Sequence, residues 1–178
     1  MDANDRLSSD DEKKRYSFHR NSIDDNGYVD FLNRVIEPSL RYIAIGMNGL
    51  DFGCGPNPVL AQILESKGID CSYYDPFFFP ECDTNAKYDF IFATECFEHF
   101  FSPAKEIENI CKLLKNNALL CVMTEMYSSV DDFGEWYYKN DPTHVCFYGG
   151  NTFDYICSNF GFTELHNDNH RVIILRKL

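Results

Sequence analysis

At 178 residues the chain is long enough for one domain that buries most of the surface its unfolded form would expose. It is 44% hydrophobic and 16% aromatic, too apolar for a disordered polymer. The 28 acidic and 16 basic residues leave a net charge of −12, which speaks against a face built to grip phosphate backbone.

The densest basic cluster is Lys13-Lys14-Arg15, inside a polar leader, so nucleic acid is not an expected substrate and a small molecule fits better. No apolar run approaches the ~18 residues a spanning helix needs, so no membrane partner is expected. Met1-Asp2-Ala3-Asn4-Asp5 is polar and acidic, unlike a secretory signal, and none of the eight cysteines forms a C-x-x-C pair. Buried, reduced thiols in a cytoplasmic protein are the expectation. Oligomeric state is not legible.

Residues 1–15 are charged and aperiodic, which predicts a frayed leader ahead of one domain over 16–178. Within that domain, 16–45 reads as a helical cover and 46–178 as the core. Tyr28, Phe31, Leu32, Val35 and Ile36 recur at helical spacing, and Pro38 ends or kinks the helix. Leu50-Asp51-Phe52 closes a short buried strand. Val59, Leu60, Ile63 and Leu64 make one helical face, which Gly68 caps. A second strand, Cys71-Ser72-Tyr73-Tyr74, ends at Asp75-Pro76, and Asp89 to Ala93 is a third. Ser102 and Pro103 open a helix through Ile107, Ile110, Cys111 and Leu114. Ala118 to Met123 is again an apolar strand. Asn151 or Thr152 caps a helix through Phe153, Ile156, Cys157 and Phe160 that stops at Gly161. Two last strands, near Phe162–Leu165 and Val172–Leu175, flank a short polar turn and must pair antiparallel. Strands alternating with amphipathic helices predict an α/β fold: a doubly wound, Rossmann-like, mostly parallel sheet in three layers, with an antiparallel C-terminal strand.

The first chemistry-bearing element is Asp51-Phe52-Gly53-Cys54-Gly55, a strand end and a glycine turn running into a helix. Glycine lets the main chain bend tightly and approach a ligand that a Cβ would block. Asp75, at the tip of the next strand, is placed to accept hydrogen bonds from a ribose. A dinucleotide would want a third glycine at position 58, which is Pro58, and Pro56 and Pro58 remove donors that a pyrophosphate uses. A cofactor with an adenosine and an amino-acid tail but no phosphate avoids that conflict.

Leu50-Asp51-Phe52-Gly53-Cys54-Gly55 resembles motif I of the class I S-adenosylmethionine-dependent methyltransferases, with Asn57 at the place of the usual third glycine. Tyr88 to His99 resembles that family's fourth strand and following loop, and Leu113 to Leu120 its lead into strand five. Phe160-Gly161-Phe162 resembles its gateway to strand six. The resemblance covers about residues 28–178. It implies S-adenosyl-L-methionine as cofactor, with Gly53, Cys54 and Gly55 along the methionine moiety, Asp75 on the ribose, and Asp51 and Asn57 also among the cofactor-binding residues. It also sets Pro76 and Phe77 beside the adenosine, and Thr94, Glu95 and Cys96 at the methionine end. Too few residues separate Asp75 from Tyr88 for a full helix and strand, so the third-strand region is reduced. Phe77, Phe78 and Phe79 either stack on adenine there or form a core cluster.

The acceptor side is expected in the stretch Trp136 to Tyr148, after the last parallel strand. Its Asp141-Pro142-Thr143-His144-Val145 looks like a segment of small bacterial methyltransferases of unassigned substrate. His144 is the candidate acid/base or substrate-orienting group, with Asp141 fixing its tautomer; the alternative is a histidine that ties the loop to the sheet. Trp136 and Tyr138 form an aromatic wall or plain core, and His19 is a candidate lid residue. No metal site is expected: His166 and His170 lie in a turn, and His144 with Cys146 lacks an evident third ligand. The leading function is methyl transfer to a small molecule. A non-catalytic methyltransferase-like binding or scaffold protein and a nicotinamide-dependent oxidoreductase are the alternatives.

Overall fold

The computed structural model describes residues 6–18, 21–81, 83 and 85–178. Eleven helices and strands order the described chain as α1 (Ser9–Tyr16), α2 (Asn26–Ser39), β1 (Asn48–Phe52), α3 (Val59–Ser66), β2 (Asp70–Tyr74), β3 (Tyr88–Thr94), α4 (Pro103–Leu113), β4 (Leu114–Met123), α5 (Gly150–Phe160), β5 (Phe162–Asn167) and β6 (Val172–Lys177). The sheet order is β2-β1-β3-β4-β6-β5. Strands β1 to β4 pair in parallel, whereas β6 runs antiparallel to both of its neighbours. This is the mixed sheet the sequence predicts.

Alternation along the buried strands builds the three layers. In β3, Phe90 and Phe92 pack with Leu32, Val35 and Ile36 of α2 and with the apolar face of α3. Ile91 and Ala93 point to the other face, against Ile107 and Ile110 of α4 and Phe153 and Ile156 of α5. Each such aliphatic or aromatic side chain, removed from water, contributes about 1.5–3 kcal/mol.

Three local expectations shift. Residues 9–15, read as part of a frayed leader, lie in α1. Its acids Asp10, Asp11 and Glu12 sit in the first turn and Lys13, Lys14 and Arg15 in the last, so the helix is held by dipole complementarity and the Ser8 cap rather than by an apolar stripe. Ser102 precedes α4 without a side-chain cap bond, although Pro103 does stand at the helix start. Helix α5 opens at Gly150, with Gly149 as its cap and the Thr152 hydroxyl accepting the Gly149 amide. Among the described residues, nothing between β2 and β3 adds a strand to the sheet; Asp75 and Phe79 only exchange a bridge. β2 is therefore an edge strand.

Candidate functional site

The carboxyl ends of β1, β2 and β3 open into a cavity of about 660 Å³. Its wall includes Gly53, Cys54, Gly55, Asp75, Pro76, Phe77, Thr94, Glu95, Cys96, Asp141 and His144, eleven of the residues expected there from sequence. The glycine turn is built on β2: the amides of Gly53 and Cys54 both donate to the Tyr74 carbonyl, at 2.8 and 3.1 Å. Gly53 has φ +81, and a Cβ on it would stand 2.7 Å from the Cys96 Cβ, so both conformation and close approach demand glycine.

Asp75 faces this turn. Its Oδ2 accepts the Gly55 amide at 2.9 Å, and its Oδ1 accepts the Phe77 and Phe78 amides at 2.8 and 3.1 Å. A carboxylate offers about four lone-pair positions. Three are filled, which leaves about one for a ligand hydroxyl. Of the three phenylalanines, Phe77 reaches the cavity, where its ring lies 5.9 Å from that of Tyr16. Phe79 packs on Tyr73, and Phe78 lies under the Lys13 ammonium.

Two further residues expected at the cofactor stand behind the wall. Asp51 is buried beneath α3, where the Ala61 amide donates to it. Burial, with Asp75 adding repulsion, pushes its carboxyl up to about 7 from 3.8. The folded chain therefore holds this proton between those values while the unfolded chain does not, so stability falls as pH rises through the window. Thermal melts from pH 5 to 8 should show a loss to which Asp51 contributes roughly 2–4 kcal/mol, and Asp51→Asn should remove that share. An unchanged slope in that variant would assign the proton elsewhere. Asn57 serves the loop instead of a ligand: its side chain donates to the Asn21 carbonyl at 2.9 Å and accepts from Gln62 at 3.0 Å.

The acceptor-side expectations need correcting. Asp141 meets His144 through the main chain, where the His144 amide donates to the Asp141 carbonyl at 3.0 Å, but its carboxylate does not orient the ring. That carboxylate accepts the Thr143 amide and hydroxyl at 2.9 and 2.6 Å and the Arg15 guanidinium at 2.8 Å. Burial opposes its ionisation, but those partners prevail and hold its carboxyl below the usual range. The His144 tautomer is set by the Tyr138 carbonyl, 2.7 Å from Nδ1. Burial lowers the His144 pKa, so the ring is neutral near pH 7. Trp136 and Tyr138 are not on the cavity wall. The Trp136 indole donates to Glu125 at 2.7 Å within a cluster of Tyr127, Phe133 and Phe147. The buried Tyr138 hydroxyl donates to Glu98 and lies 3.1 Å from Glu95. His19 lies outside the described residues.

The sequence reading gave no role to several wall residues. Glu98 and His99 occupy a 3-10 turn four residues past the end of β3, and Glu98 is fully buried. The Thr124 hydroxyl donates to Glu98 at 2.8 Å. His99 Nδ1 meets the Thr143 carbonyl at 2.9 Å. Tyr16 places its ring edge against His99 at 5.4 Å. A glutamate and a histidine immediately beyond a strand's carboxyl end were the available signal.

Glu95 has φ +48, an uncommon left-handed conformation for a side chain of this size, and its amide donates to Met123 at 2.7 Å. Its carboxylate shares Arg171 with Glu125. Burial and then the nearby Glu98 push the Glu95 carboxyl up to about 7. Six acids (Glu12, Asp75, Glu95, Glu98, Glu106 and Asp141) face two bases (Arg15 and Lys105) around the cavity, a field that favours a cationic ligand over a phosphate. Thr94 Oγ1, on a residue of this wall, is buried and has no hydrogen-bond partner among the described residues.

Solved structures share this architecture. A SAM-dependent methyltransferase from Archaeoglobus fulgidus is 16% identical and superposes with a TM-score of 0.56 over 84% of this chain and 99% of its own. The magnesium protoporphyrin IX methyltransferase of Synechocystis PCC 6803, solved with bound SAH, gives 12%, 0.59, 96% and 95%. An O-methyltransferase family protein from Burkholderia thailandensis gives 13%, 0.56, 93% and 62%. At such identities the likeness is one of fold. No curated protein matches the chain by sequence. The methyltransferase-domain family matches residues 19–167, most of the chain, and the chain belongs to that family.

Proposed function

We propose that this domain binds S-adenosylmethionine between the glycine turn and Asp75 and transfers its methyl group to a small-molecule acceptor lodged toward His144. The observation that carries the reading is the convergence of Gly53, which cannot bear a side chain, and the Asp75 carboxylate on one acidic cavity. The residues fit the cofactor. Asp75 has capacity for a ribose hydroxyl, the free Thr94 hydroxyl meets a polar group, and the acidic wall suits a sulfonium. When bound, S-adenosylmethionine supplies a methyl carbon activated by a positively charged sulfur.

The chain's own residues then position and desolvate. Phe77, Tyr16 and Phe100 give the cavity apolar walls that exclude water. His144 presents Nε2 as a lone pair, because Nδ1 carries the proton given to the Tyr138 carbonyl; that lone pair is suited to accept a proton from an acceptor hydroxyl or amine. A nicotinamide dinucleotide fits less well, since Pro56 and Pro58 withhold amides and the wall repels a pyrophosphate.

The test is titration calorimetry with S-adenosylmethionine and S-adenosylhomocysteine, followed by an acceptor screen. Binding of neither ligand at millimolar concentration rejects the proposal. Once an acceptor is found, His144→Ala should lower turnover about 100-fold or more while leaving S-adenosylhomocysteine affinity within about threefold. Undiminished turnover would remove His144 from the chemistry.

A further inference from the structure

We propose that Glu98, His99 and His144 form a binding site for one divalent first-row transition-metal ion at the acceptor end of the cavity. One ligand atom from each of the three lies within 4.8 Å of the other two, and all three residues line the cavity. Glu98 Oε1 and His99 Nε2 are 4.0 Å apart. Metal–ligand bonds of about 2.0–2.2 Å hold such atoms about 3–4 Å apart, so side-chain movements of less than about 1 Å close the shell.

The orientation of the imidazoles is the stronger argument. His99 and His144 come from different loops, yet each turns Nδ1 onto a main-chain carbonyl: Thr143 at 2.9 Å for His99 and Tyr138 at 2.7 Å for His144. A carbonyl only accepts, so both Nδ1 atoms carry a proton, and in the form that ligates a metal each ring offers the lone pair of Nε2. Metal-ligating histidines are held in this way, their second nitrogen donating to a carbonyl or carboxylate. Glu98 is braced in the same manner by the Thr124 and Tyr138 hydroxyls, which leaves its carboxylate lone-pair capacity.

Charge supplies an independent reason. Glu95, Glu98 and Glu125 crowd one region, and Arg171 pairs with Glu95 and Glu125. No Lys or Arg pairs with Glu98 among the described residues, although it is wholly excluded from solvent. A buried carboxylate without a cationic partner is costly even when hydroxyls donate to it. A cation held between Glu98 and the two imidazoles offsets that cost. The donor set of two imidazoles and one carboxylate suits zinc, iron, cobalt or manganese. The nearest thiol on the same loop is otherwise engaged: Cys146 Sγ meets the Phe97 carbonyl at 3.1 Å and the Tyr148 hydroxyl at 3.3 Å. Three protein ligands leave open positions for a Lewis acid at the His144 end of the cavity. The site stands on these residues and needs no methyl transfer; when it is filled, the His144 Nε2 lone pair is on the metal and is not the proton acceptor of the methyl-transfer reading.

The full-length protein, stripped with a chelator, is titrated with cobalt(II) and followed by visible absorption. X-ray absorption of the zinc-loaded wild type then reports the first shell. The expected result is one equivalent bound, a shell of nitrogen and oxygen with two imidazoles, and an affinity about 100-fold or more weaker in each of His99→Gln and His144→Gln. Failure of the wild type to take up cobalt, sulfur in the zinc shell, or unchanged affinity in both folded variants would overturn the site. The zinc spectrum of the wild type decides the matter even where a variant misfolds. S-adenosylhomocysteine titrations on the same samples separate the two proposals, since either ligand can bind without the other.

Discussion

Asp75→Ala should weaken S-adenosylhomocysteine binding by about 100-fold or more, the largest loss of ligand affinity for any single side chain of the cavity. The carboxylate performs two jobs at once. It accepts the amides of Gly55, Phe77 and Phe78, which fixes the glycine turn relative to the following loop, and it keeps an acceptor for the ligand. Hydrogen bonds to a charged group contribute about 1.5–3 kcal/mol each, and unsatisfied amides add their own cost. Asp75→Asn retains one oxygen that can serve Phe77 and Phe78 but offers an amide to Gly55, so its affinity should fall between wild type and alanine. Calorimetry measures all three. Equal affinity in the three proteins would mean that the ligand sits elsewhere.

The largest effect on stability is expected at Arg171. Its guanidinium bridges Glu95 and Glu125, stacks over the Tyr138 and Phe31 rings, and is 8% exposed. Arg171→Met removes the cation and leaves two carboxylates in a region that also contains Glu98. Breaking a buried ion pair from one side costs about 3–5 kcal/mol. For a chain of this length that lowers the melting temperature by roughly 10 °C, measurable by calorimetric scans at pH 7.5. Adding Glu125→Gln should restore part of the loss, because the penalty is the orphaned charge and not the absent contact. A double variant no more stable than the single would show that packing of the arginine stem dominates.

The sheet was legible because its apolar runs are long and its turns carry glycine or proline: Asp89 to Ala93, Ala118 to Met123 and the Phe160-Gly161-Phe162 stop each describe one element without reference to the rest. Helix α1 was not legible. Its stability comes from charge placement and a serine cap, which leave no hydrophobic period to read. In the cavity, Gly53 and Asp75 could be placed from sequence because both obey strand-end geometry. Asp51 and Asn57 share that motif but turn inward, toward the α3 amides and toward Asn21, and only the packing decides this. The Asp141–His144 pairing failed for a related reason. Three residues apart in a loop, the two side chains have no fixed common face, and Asp141 is taken by Thr143 and Arg15. Glu98 and His99 stood in plain view in the sequence. Their significance appeared only when the loop carrying Thr143 and His144 folded back to hold His99.

Among the described residues, no strand between β2 and β3 covers the free side of β2. A five-residue border such as β2, begun by the exposed Asp70 and curled back by the Asp75–Phe79 bridge, is a poor template for pairing with another chain. With β5 it is one of the two flanks of the described sheet where additional polypeptide would not have to pass between existing neighbours. The stretch from Phe79 to Tyr88 is therefore the natural graft point for a reporter peptide or an extra helix–strand unit, with the pairing order from β2 to β5 left as it stands.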